Sequence, residues 1–118
     1  MSQHYFNTTI DGEPVTVILG WDRPLGHFFL LTERSAPAGQ LDGPEPKVVY
    51  YNLEESDPFH RDLAFYREKL NQLGISVPES MFREVPLDQA SGVDGNRKCW
   101  HESNGLFREV LQLSLIHI

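Results

Sequence analysis

"HYFNTT" and "PVTVIL", the two stretches that flank "IDGE", are rich in β-branched and aromatic residues, and their apolar positions fall mainly on one side when every second residue is taken together. A period of two is that of a strand with one face on a core. Asp11-Gly12 is a two-residue turn signal, because a type I′ turn requires positive φ at both positions. Closing the chain there pairs Ile10 with Glu13, Thr8 with Val15 and Phe6 with Val17. One face then carries Phe6, Thr8, Ile10, Val15, Val17 and Leu19. The other carries Tyr5, Asn7, Thr9 and Thr16, with Ile18 as the exception. "GWDRPLG" interrupts as a turn, and "HFFLLTE" follows as a third strand that is apolar on both faces, as a central or doubly covered strand would be. A Pro-, Gly- and Ala-rich loop from Arg34 to Lys47 leads to a fourth strand, "KVVYYNL".

The period then changes. Phe59, Leu63, Tyr66, Leu70 and Leu73 form a single helical stripe. Asp57 is placed to cap this helix with Pro58 in its first turn, and Gly74 to end it, with Ile75 making the contact that follows. "PESMFREV", Pro78 to Val85, predicts a short second helix stopped by Pro86, and "LDQASGVDG" a loop. "RKCWHES" and "LFREVLQ" flank Asn104-Gly105 and predict a second hairpin. The expectation is an α+β fold: a mostly antiparallel sheet of about four to six strands built from two hairpins, with one main and one short helix packed on a face.

The end of the chain, "LSLIHI" (Leu113 to Ile118), reads in two ways. It alternates as a strand would. Read back through the genetic code, it also resembles the translated mosaic-end adaptor that a transposase adds to sequencing libraries. On the second reading, the domain covers residues 1–112, and residues 113–118 are a non-native tail of a metagenomic sequence.

Composition narrows the function classes. With 118 residues the chain suits one domain large enough to bury a core. The 17 acidic and 10 basic residues give a net charge of −7, which disfavours nucleic acid and anionic membranes as partners. A single cysteine, Cys99, makes no internal disulfide, so a reducing cytoplasmic setting is expected. No cofactor is expected, because the sequence carries no P-loop, GxGxxG, HExxH or GxSxG pattern.

"GWDRPLGHFF" concentrates the most varied side chains. Trp21, Asp22, Arg23 and His27 read as a partner-binding edge, since Trp and Arg are common interface anchors. The structural alternative has Trp21 plugging the end of the sheet and Asp22 bonding backbone N–H groups or Arg23. Cys99 and His101 stand two apart on one strand face. They point to a second class, a small enzyme or a metal protein completed by His4 or His27, against the plainer reading of a packed thiol beside an imidazole. No catalytic or metal-ligating set follows from spacing alone. A third reading, an acidic DNA-mimic inhibitor, rests on net charge.

"GWDRPL", "LGI", "VP" and "GNR" together resemble short uncharacterised proteobacterial proteins associated with plasmids and integrated elements. The resemblance spans most of residues 1–112. It implies an accessory role in a mobile element and carries over no functional residue. The expected function is therefore that of a small non-enzymatic accessory protein with an unknown protein partner.

The charge balance makes a direct prediction. Random duplex DNA at physiological salt should show no salt-sensitive gel shift with micromolar protein, because too few cations are present to displace the counterions. Such a shift would overturn this reading of the surface.

Overall fold

A computed structural model describes residues 2–34, 47–91 and 97–110. The tail at 113–118, Leu111 and Gln112 of the last predicted strand, and the loop at 35–46 lie outside the described residues. The elements are β1 (Ser2–Ile10), β2 (Glu13–Asp22), β3 (His27–Arg34), β4 (Lys47–Tyr51), α1 (Leu63–Gln72), α2 (Glu79–Ser91), β5 (Arg97–His101) and β6 (Phe107–Val110). The strands form one sheet in the order β4-β3-β2-β1-β5-β6. The fold is α+β.

β1 and β2 pair antiparallel around Asp11 and Gly12, with Ile10 opposite Glu13 and Phe6 opposite Val17. Both turn residues have positive φ, 52° and 80°. β3 lies between β2 and β4, antiparallel to both, with a bulge at Thr32/Glu33. β5 pairs antiparallel with β6 but parallel with β1, Ser2 opposite Arg97. The sheet is therefore mixed: four of the five pairings among the described residues are antiparallel, in keeping with the mostly antiparallel expectation, and one is parallel. The chain leaves the sheet after β4, runs through both helices and re-enters beside β1 in the same direction. A crossover of that length permits a parallel neighbour, which a tight turn does not.

Directly opposed residues share a sheet face, so the register defines two sets. Phe6, Val17, Leu19, Leu30 and Tyr50 form one core cluster with Tyr66 and Leu70 of α1, Ile75, and Met81, Phe82 and Val85 of α2. Gln3, Tyr5, Ile18, Phe29, Leu31, Tyr51, Lys98, Trp100 and Arg108 stand on the opposite face. Among the described residues no helix packs on that second face, and most of its side chains are partly exposed.

The helices differ from the sequence pattern at their ends. Pro58–His60 forms a separate 3-10 turn, and α1 begins at Leu63 with Asp62 as its cap, accepting from Phe65 N–H at 2.8 Å. Asp57 does not cap, since its carboxylate is engaged by His60 Nδ1 at 2.6 Å. Gly74 (φ 76°) ends the helix region, and Ile75 N–H returns to the Leu70 carbonyl at 2.9 Å. α2 does not stop at Pro86 but runs on to Ser91. A proline removes one intrahelical bond. The turns beyond it are held from outside, because Asp88 is anchored to the sheet by His4 and Arg97. Residues 87–91, expected as loop, are therefore helical. No helix among the described residues is long and apolar enough to cross a membrane.

Leu70 is 2% exposed, in the centre of the core cluster, while Glu68 points outward. Leu70→Ala should cost about 2–5 kcal/mol through lost transfer energy and the cavity left behind. Glu68→Ala should stay within about 0.5 kcal/mol. Urea unfolding of both variants measures the difference, and equal small effects would contradict this packing.

Candidate functional site

Two features hold the unusual chemistry, one on each side of the sheet. The first is a chain of buried polar groups between the sheet and α2. His4 of β1 is fully buried and lies opposite Cys99 of β5. Its Nε2 is 2.6 Å from Asp88 Oδ2 of α2, and its Nδ1 is 2.8 Å from His101 Nε2 of β5. His101 Nδ1 is in turn 2.7 Å from Ser80 Oγ, in the first turn of α2. Arg97 closes the group, bonding to Asp88, to Glu84 at 3.4 Å and to Glu109 at 2.8 Å.

The proton positions follow from what each group is able to do. A carboxylate only accepts, so His4 Nε2–H donates to Asp88. With both rings neutral, His101 Nε2–H donates to His4 Nδ1, and Ser80 Oγ–H donates to His101 Nδ1. Burial works to raise the Asp88 pKa, but hydrogen bonds from His4, Ser2 and Arg97 outweigh it and hold the carboxyl below its ordinary value. Burial pushes His101 down to about 4, helped by the nearby guanidinium charges of Arg83 and Arg97. The Cys99 thiol is raised to about 11, chiefly by burial.

Cys99 and His101 thus share the helix-facing side with His4, as strand alternation requires. Cys99 is fully buried and His101 only 5% exposed, with Phe107 stacked on its ring at 4.9 Å. A thiol raised in this way is protonated at neutral pH and is a poor nucleophile. Among the described residues, no group of three His, Cys, Asp or Glu side chains is arranged to hold a metal ion. The arrangement joins α2 to β1 and β5 and offers no opening to a substrate among the described hollows.

The second feature is an indentation of about 180 Å³ in the open sheet face. Ile18, Phe29, Leu31 and Tyr51 line it, with Leu25 and Leu53 beside them and Gln3, Asp22, His27 and Asn52 as its polar members. Gly20 makes the room for Phe29. A Cβ at position 20 would sit 2.6 Å from the Phe29 ring and 2.0 Å from the Ser2 carbonyl oxygen. Further across the face, Tyr5 and Trp100 stack with ring centroids 4.6 Å apart.

The four residues of the Trp21 turn divide between the two sides. Asp22 and His27 oppose each other in the register and both line the indentation. The Asp22 carboxylate accepts from Leu25 N–H at 3.2 Å, and its carbonyl from Gly26 N–H at 2.8 Å, which fixes the turn. His27 is 5% exposed, and its Nδ1–H donates to the Phe28 carbonyl at 2.8 Å. Trp21 points to the helix side, packed on Phe28 at 4.9 Å and against the core. There Trp21 and His27 line a shallower hollow with His60, Arg61 and Gln89. Arg23 is exposed at the turn.

Sequence reasoning missed Ser80, Asp88 and Arg97, and set His4 beside His101 only as one of two candidates, with His27, to complete a metal site. Two signals were present. His4 falls on the core face that the alternation assigns to Phe6 and Thr8, and Asp88 continues the Met81–Val85 spacing along α2. A polar residue at a core position needs a buried partner.

The depressed His101 pKa makes stability depend on pH. Unfolded histidine titrates near 6.5, so between about pH 6.5 and 4 the unfolded chain binds the extra proton. Stability contributed by neutral His101 is full above that window and falls as pH drops through it, by at most about 1.4 kcal/mol per pH unit. His101→Gln removes this dependence. Urea unfolding at pH 7, 6 and 5 should show the wild type losing its advantage over the variant as pH falls. Parallel curves would rule out the linkage.

Comparison of the chain with protein-family models, with curated proteins and with solved structures returns no match.

Proposed function

We propose that this chain is a small non-enzymatic accessory protein that works by binding protein, and that its working surface is the open face of the sheet. One observation carries the reading. Among the described residues the large apolar side chains left exposed are Leu25, Val48, Leu53, Leu87, Leu106 and Val110. Leu25 and Leu53 border the indentation, and Val48 and Val110 stand on the same sheet face. Apolar surface gathered on one side in this way, over a floor of half-buried aromatic rings, is typical of a docking surface. Asp22 and His27 belong to this surface, while Trp21 supports it from behind. The buried polar chain serves the reading as scaffold: it fixes β1 and β5, which carry Tyr5 and Trp100.

Photo-crosslinking tests the surface directly. A benzophenone amino acid replaces Tyr51 or Trp100 on the open face, or Glu68 on α1, in the full chain expressed in cells. Discrete protein adducts should form from the two open-face positions and not from position 68. Adducts from position 68 alone, or none from the open face, would sink the assignment.

A further inference from the structure

We propose that the open face is covered by a second copy of this chain, in a two-fold dimer packed sheet against sheet. This rests on the reading of that face as a protein-docking surface and names its occupant. The layout of charge and apolar groups across the six strands carries it.

One row of side chains crosses the whole sheet at a single level. In strand order it reads Tyr51, Leu31, Ile18, Tyr5, Trp100 and Arg108. Its midline lies between β2 and β1. A two-fold axis along that midline, parallel to the strands, lays β2 over β1 of the second copy, β3 over its β5 and β4 over its β6. The row then folds onto itself. Ile18 meets Tyr5, Leu31 meets Trp100, and the Tyr51 ring meets the Arg108 guanidinium, a cation–π arrangement.

The charges follow the same symmetry. The open face carries acids in one half, Asp22 on β2 and Glu33 on β3, and bases in the other, Lys98 on β5 and Arg108 on β6. None of these four forms an ion pair with another described residue. Folding about the midline brings each acidic half over a basic half. Glu33 then lies one row and one strand from Arg108 of the second copy, and Asp22 one row and one strand from its Lys98, within reach of the long basic side chains. An axis across the strands would instead set acids over acids and bases over bases. A patch that is complementary to itself about one two-fold is what an isologous dimer requires. Six strands about 4.8 Å apart make a face roughly 25 Å wide, large enough for a standard interface patch.

Charge reversal with rescue tests this. Analytical ultracentrifugation of the full chain between about 1 and 200 µM should show a monomer–dimer equilibrium. Glu33→Lys and the double variant Lys98→Glu/Arg108→Glu each place like charges across the interface, and each alone should dimerise at least tenfold more weakly. Mixed one to one, they should form a heterodimer close to the wild type in strength, which also shows that both variants fold. A wild type monomeric up to 200 µM would overturn the dimer while leaving the docking face to another protein, whose adduct mass in the photo-crosslinking would differ from twice the 13.5 kDa chain. A dimer that neither variant weakens would place self-association elsewhere and overturn the proposal equally.

Discussion

The position of α2 depends on the buried chain from Arg97 through Asp88, His4 and His101 to Ser80. Its members come from three elements, with β1 far in sequence from α2 and β5, and four of them are 5% exposed or less. Groups so far from water must be paired, since an unpaired buried charge or donor costs more than a paired one gains. Sliding α2 by one residue would separate Asp88 from His4 and Ser80 from His101 together. The network therefore selects one placement of the helix on the sheet. Apolar contacts of Met81, Phe82 and Val85 supply area, but apolar contact alone tolerates small shifts.

This constraint accounts for two features that would otherwise conflict with local rules. α2 passes through Pro86 without ending, because Asp88, two residues beyond, is anchored to β1 and β5. β5 runs parallel to β1 because the chain crosses over through both helices before it re-enters the sheet, and the register there sets His101 and Arg97 on the helix-facing side with His4. Both features belong to the same junction. Electrostatics there favours a neutral His101 and an ionised Asp88, so the junction is tight at neutral pH and weakens on acidification.

A sheet fixed from one side leaves its other face available. That face is held rigid by the same strands and presents Phe29 over Gly20 and the Tyr5–Trp100 stack at defined positions. Rigid aromatic groups lose little conformational entropy on contact, which suits them to recognition. The division of Trp21 from Asp22 across the sheet shows how one short motif serves both sides, packing behind and lining in front.

Much of the local structure was legible in the sequence, because local structure follows from nearest neighbours. Alternation and the Asp11-Gly12 turn give the β1–β2 register, the stripe through Tyr66 and Leu70 gives the buried side of α1, and Gly74 gives its end. The two-sided apolar pattern of β3 already contained the open face, without saying that helices would cover only one side. The order of the strands, the parallel β1–β5 pair, the continuation of α2 and the meeting of His4, Asp88, His101 and Ser80 were decided by tertiary structure. Each depends on residues brought together across more than twenty positions of chain, and a single sequence carries no record of such distances. A histidine and an aspartate at core positions announce that they need partners; only the folded chain says which partners they find.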